Sequence, residues 1–214
     1  MRTKMFTVLA VLAAFVILTL SGCASFNAAG RMPDFNDPSS VDKTKLSTKM
    51  DGDVFVTVYP LKVKEEVEKY FDEDLIDAGI LAIMVDVDCS MSTTLTAATL
   101  VLEDGISVSQ MSAEEVYATM KRGYGLRTVA GWFFGLYIGA PILAYQTYKT
   151  NEKIQQDLNG TEGVAGKLLK LGKFQSGKTK GFLCFRVDNP VATKKLQLIF
   201  QRDGKLTEYD FDVN

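Results

Sequence analysis

Gly172-Lys173-Phe174-Gln175-Ser176-Gly177-Lys178-Thr179 fits the pattern G-x-x-x-x-G-K-[ST], in which backbone amides and a lysine cradle phosphates while a hydroxyl holds Mg²⁺. That chemistry needs a helix after the loop, with its N-terminus facing the anion. The residues that follow, Lys180-Gly181-Phe182-Leu183-Cys184-Phe185-Arg186-Val187, read instead as a strand. The expectation is therefore a polar hairpin loop, with nucleotide binding through 172–179 disfavoured. Asp86 and Asp88 share a face of another predicted strand, and Asp72, Glu73 and Asp74 form a second acidic group. Carboxylates in such groups bind Ca²⁺ or work as acid and base. Solvated strand ends and exposed helix faces are their commoner settings. Asp157-Leu158-Asn159-Gly160-Thr161-Glu162 lacks the twelve-residue series of a calcium loop and reads as a helix end and turn.

Histidine is absent from the 214 residues. This excludes Ser-His-Asp, Cys-His and H-E-x-x-H chemistries, and with them the commonest general base and zinc ligand. No catalytic residue, metal or cofactor is expected. Of three cysteines, Cys89 and Cys184 lie in the body of the chain and form one potential pair. A bridge closing so long a loop would contribute about 4 to 5 kcal/mol by the loop-entropy argument. Two buried free thiols are the other outcome.

The third cysteine has a different setting. Arg2 and Lys4 precede an uncharged apolar run from Met5 to Leu20, and small residues follow at once. That is the layout of a secretory signal, and the run is short for a bilayer span. Its closing residues, Leu20-Ser21-Gly22-Cys23, resemble the lipobox of bacterial lipoproteins, a resemblance confined to Met1–Cys23. It implies removal of residues 1–22 and acylation of Cys23, with membrane lipid as partner and the cell envelope as location. Ala24 and Ser25, with no aspartate after the cysteine, resemble the sorting pattern for the outer membrane of Gram-negative species. Loss of residues 1–22 takes away Arg2 and Lys4 and no acidic group, moving the formal charge from −2 to −4. A chain of that charge is a poor match for nucleic acid.

Residues 24–53 are polar and rich in turn formers and read as a tether. Val54–Leu61 then reads as a strand that Pro60 ends or places on an edge. Val63, Val67, Tyr70, Phe71 and Leu75 fall at helical spacing, with Gly79 as a stop, and Ile80–Val87 is a central strand. Thr93–Leu102 and Ile106–Val108 flank an Asp104-Gly105 turn. Ser112 and Glu115 match a capping box for a helix from Ala113 to about Arg122. Gly181–Val187, Lys195–Arg202 and Lys205–Val213 complete the strands, the last two joined by Asp203-Gly204. The expected fold class is α+β, mainly β. Residues 54–214 form an antiparallel, immunoglobulin-like sandwich of about eight strands, with a helical, glycine-rich hydrophobic insertion at about 112–158.

Within that insertion, no charge occurs between Arg127 and Lys149. As a helix, Thr128–Tyr148 would reach about 30 Å, the thickness of a bilayer core. Gly131, Gly135 and Gly139 recur every four residues and would let another helix approach. These three resemble the glycine zippers of some envelope lipoproteins. Trp132, Tyr145 and Tyr148, with flanking lysines and arginines, suit a membrane interface. Against a straight span, Pro141 costs about 3 kcal/mol in a helix interior. Membrane contact and burial against the sandwich both remain open, as does self-association or an envelope partner through 128–148. Together these features point to a non-enzymatic envelope lipoprotein, the alternative being a ligand-binding or carboxylate-based enzymatic module.

Overall fold

Two β-sheets are built from strands whose bounds largely follow the apolar alternation. The computed structural model describes residues 41–71, 75–120, 148–149, 152, 164–189 and 193–213. The first sheet has the order β1 (Ser47–Asp51), β2 (Val54–Leu61), β3 (Ile80–Cys89) and β7 (Gly177–Arg186), all antiparallel. In the second, β4 (Thr93–Leu102) pairs with β8 (Thr193–Arg202), which pairs with β9 (Lys205–Asp212). The other side of β4 takes β6 (Gly172–Phe174) near its start and β5 (Ser107–Ser109) near its end. Helices α1 (Lys64–Phe71), α2 (Ala113–Met120) and α3 (Val164–Lys167) accompany them. All of these elements belong to one compact unit of residues 27–121 and 153–214.

Alternation along the strands gives each sheet an inner face. Val56, Val58, Ile83, Val85, Leu183 and Phe185 of the first sheet meet Leu95, Leu100, Leu198, Phe200 and Phe211 of the second in a single core. The sheets therefore pack as a β-sandwich, as expected. Thr96 is an extra residue in β4, where the register with β8 shifts between Leu95 and Ala97. This bulge re-phases the strand, so that Leu95 and then Ala98 and Leu100 all face inward. The Thr96 hydroxyl donates to the Ile199 carbonyl at 2.9 Å.

The unbroken apolar run of β3 has a second cause. Its alternate residues Ile80, Ala82 and Met84 are also fully buried, together with Tyr59, Leu61, Phe182 and Cys184 from the same outer face. Over this face lies α1, whose Phe71 ring sits 4.7 Å from that of Phe182. Val67, Tyr70 and Phe71 are the buried side of α1, whereas Val63, expected in the same stripe, precedes the helix and is 41% exposed. Lys167 of α3 donates to the Tyr70 carbonyl at 3.3 Å, placing a cation at the C-terminal end of α1.

Local signals held. The capping box forms, with Ser112 Oγ accepting from the Glu115 amide at 3.2 Å and Glu115 Oε2 from the Ser112 amide at 2.7 Å. Asp203 and Gly204 both take positive φ, 49° and 78°, giving the tight β8–β9 turn. Other expectations are corrected. Residues 41–51, read as tether, are part of the domain: Val41 is buried and Ser47–Asp51 is β1. That strand is polar and mostly exposed, and its backbone bonding to β2 leaves no apolar pattern to read. Gly172–Thr179 is a corner rather than a hairpin, since β6 joins the second sheet and β7 the first. Nine strands rather than about eight are present among the described residues.

Candidate functional site

The β3–β7 register brings together the two motifs with the most chemical promise. Asp86 lies opposite Lys180 and Asp88 opposite Lys178. The Lys180 ammonium is 3.9 Å from Asp86 Oδ2, and that of Lys178 is 3.7 Å from Asp88 Oδ2. Lys178 and Thr179 are strand residues, with no helix after them to complete a phosphate cradle. The acidic pair and the lysines are a cross-strand charge ladder on the open end of the outer face. The Lys178–Asp88 pair is exposed and worth about 0 to 1 kcal/mol, whereas the Asp86 side chain is only 14% exposed. Asp72, Glu73, Asp74 and residues 157–162 lie outside the described residues. Among the described residues no group of three or more His, Cys, Asp or Glu is placed to hold a metal ion.

The two body cysteines are both free. Cys89 pairs with Gly177 and Cys184 with Ala82, so they are seven positions apart along one ladder, roughly 24 Å at strand rise. They also occupy opposite faces: Cys89 belongs to the sandwich core and Cys184 to the layer beneath α1. A disulfide requires Cα atoms within about 7 Å, so the potential Cys89–Cys184 bridge is excluded by this fold. Burial pushes the Cys184 thiol up to about 12, and burial also raises Cys89. Native protein should resist iodoacetamide at both positions and run identically with and without reductant on a denaturing gel. A mobility change on reduction would contradict the register.

A polar cluster that the sequence did not signal fastens the start of the domain. Glu66 Oε1 on α1 accepts from the Tyr59 hydroxyl and from Lys45 Nζ, each at 2.9 Å. The Asp42 amide donates to the Tyr59 oxygen at 3.3 Å, and the Asp42 carboxylate caps the turn Lys43–Lys45 by accepting from the Thr44 amide at 3.0 Å. Residues 21 apart in the chain carry no spacing pattern, and only the phase of Tyr59 on β2 hinted at a buried outer face. Burial is the main cause that raises the Tyr59 phenol to about 12, opposed by the Asp42 amide and reinforced by Glu66. A phenol whose folded value is raised above its ordinary value near 10 favours folding below pH 10, and the benefit is lost as pH rises toward 12. Stability measured by denaturant titration should fall across that alkaline window, and Tyr59→Phe should flatten the part of the fall due to this residue.

At the other end of the sandwich, Asp53 accepts from Ser90 and from Arg202, tying the β1–β2, β3–β4 and β8–β9 turns. Beside it is a recess of about 190 Å³ that includes Thr93, Lys205 and Tyr209. A larger, open recess of about 410 Å³ lies between the first turn of α2 and Leu168–Leu171. The carboxylate of Glu115 at its rim is engaged in the capping box.

Cys23, Gly131, Trp132, Gly135 and Gly139 lie outside the described residues. No helix among the described residues is long and apolar enough to cross a membrane. No family model, no curated protein and no solved structure matches this chain.

Proposed function

We propose that this protein is a non-enzymatic interaction protein of the bacterial cell envelope, held at a membrane by an acylated Cys23. The observation that carries the proposal is Leu20-Ser21-Gly22-Cys23 at the end of the uncharged run Met5–Leu20. Each buried acyl methylene contributes about 0.8 kcal/mol and one short chain binds only marginally, so several chains on one cysteine make a lasting anchor. Val41, the first described residue, is buried in the domain, and the seventeen residues 24–40 can separate it from Cys23 by at most about 60 Å. Ala24 and Ser25 favour the periplasmic face of the outer membrane. In this reading Thr128–Tyr148, with Gly131, Trp132, Gly135 and Gly139, supplies a second contact, to the bilayer, to another copy or to an envelope protein. The sandwich is the presented domain. Its strand order differs from the immunoglobulin-like one, because β1, β2 and β3 lie side by side in one sheet, whereas the second and third strands of that fold belong to opposite sheets.

Carboxylate catalysis has less support, since Asp86 and Asp88 each face a lysine. Growth with radiolabelled palmitate tests the anchor. Wild-type protein should take up label and sediment with membranes, and Cys23→Ala should take up none. Sedimentation that persists in Cys23→Ala would report the second contact. Unlabelled wild-type protein would overturn the proposal.

A further inference from the structure

We propose that Met50 and Met91 are sites of oxidation to methionine sulfoxide, a modification that changes the surface at one end of the sandwich and leaves its core untouched. It does not depend on the acylation of Cys23.

Met50, in β1, is 60% exposed, and Met91, in the β3–β4 connection, is 52% exposed. Both flank the Asp53 tie. Met50 lies three residues before Asp53, and Met91 follows Ser90, whose amide donates to the Asp53 carbonyl at 3.3 Å. Met84, by contrast, is fully buried in the layer covered by α1, and Met111 is 6% exposed, with its amide donating to the Cys184 carbonyl at 2.7 Å. A thiol reacts with an oxidant through its accessible thiolate. Cys89 and Cys184 offer none, since both are buried and burial raises both thiols. The thioethers of Met50 and Met91 are left as the sulfur that an oxidant in solution meets at this end of the sandwich.

The oxidant is a peroxide. The thioether sulfur attacks one oxygen of hydrogen peroxide; the S–O bond forms, the O–O bond breaks, and the departing hydroxide takes the remaining proton and leaves as water. Sulfur loses two electrons and the peroxide gains them. A dithiol reductase reverses the step, giving up two electrons as its thiols close to a disulfide and the oxygen leaves as water. Because the sulfoxide is polar, its cost to the fold depends on whether it must be buried. At Met50 and Met91 the new oxygen meets water. Met50 stands opposite Phe55 on the β1–β2 ladder, and Phe55 is itself an exposed side chain, so oxidation sets a polar group beside an exposed ring and alters the outer surface alone.

The test treats the full chain with hydrogen peroxide and follows each methionine by peptide mass over time. Met50 and Met91 should each gain one oxygen about tenfold faster than Met84 and Met111. Protein oxidised at positions 50 and 91, with Met84 and Met111 intact, should keep its thermal midpoint within about 3 °C of untreated protein. Oxygen uptake at Met84 or Met111 as fast as at Met50 and Met91 would overturn the proposal. So would a larger fall in the midpoint while Met84 and Met111 are still unmodified.

Discussion

Gly181→Ala should lower the thermal midpoint by about 6 to 12 °C, a loss of about 3 kcal/mol for a domain of this size. A Cβ at position 181 would lie 2.6 Å from the Leu169 amide nitrogen and 2.7 Å from its Cα and Cβ. No rotamer change relieves that contact, because two of the three atoms are backbone. Neither partner can withdraw cheaply. Gly181 is paired with Val85 in the middle of the β3–β7 ladder, and the Leu169 amide donates to the Phe182 carbonyl at 2.9 Å. Lys178→Ala, three residues earlier on the exposed part of the same strand, should cost less than about 1 kcal/mol. Equal midpoints for Gly181→Ala and wild type would mean that Leu168–Leu171 does not sit on β7.

Phe182→Ala should cost about 3 to 5 kcal/mol in urea unfolding, as much as Phe185→Ala three residues later on the same strand. The two side chains point to opposite faces of β7 and both are fully buried. Phe185 belongs to the sandwich core, whereas Phe182 packs with Phe71 at 4.7 Å and Tyr70 at 6.0 Å under α1. Equal losses would establish that the domain has a second apolar layer of the same energetic weight as the core between the sheets. A Phe182→Ala loss below about 1 kcal/mol would make that layer a surface decoration.

What could be read in advance was what local physics decides. Val54–Leu61 is legible as a strand because β-branched and aromatic residues are dense there and turn formers flank them. Pro60 is tolerated because β1 reaches only to Val58, leaving that side of β2 without a strand at the proline. Ser112 and Glu115 gave the start of α2, and Asp203-Gly204 the last hairpin, since each is complete within four residues. The strands β1 and β6 are not legible in the sequence because one is polar and the other is three residues long, with Phe174 as its one core side chain. The unbroken apolar run of β3 announced burial on both faces, yet nothing in it named α1 as the cover.

The candidate site was legible as residues and not as a site. Lys178 belonged to one motif and Asp88 to another, and only the register of β3 with β7 shows that each motif supplies the other's counter-charge. The same register separates Cys89 from Cys184, a distance that no spacing in the chain encodes. Tyr59, Glu66 and Lys45 come from three different elements, so their cluster exists only after folding.

The most direct test of the central claim is the intact mass and N-terminal sequence of the protein taken from bacterial membranes. The account predicts a polypeptide that begins at Cys23, lacks residues 1–22 and carries the added mass of acyl chains on that cysteine. A polypeptide that begins at Met1 with an unmodified Cys23 would contradict it.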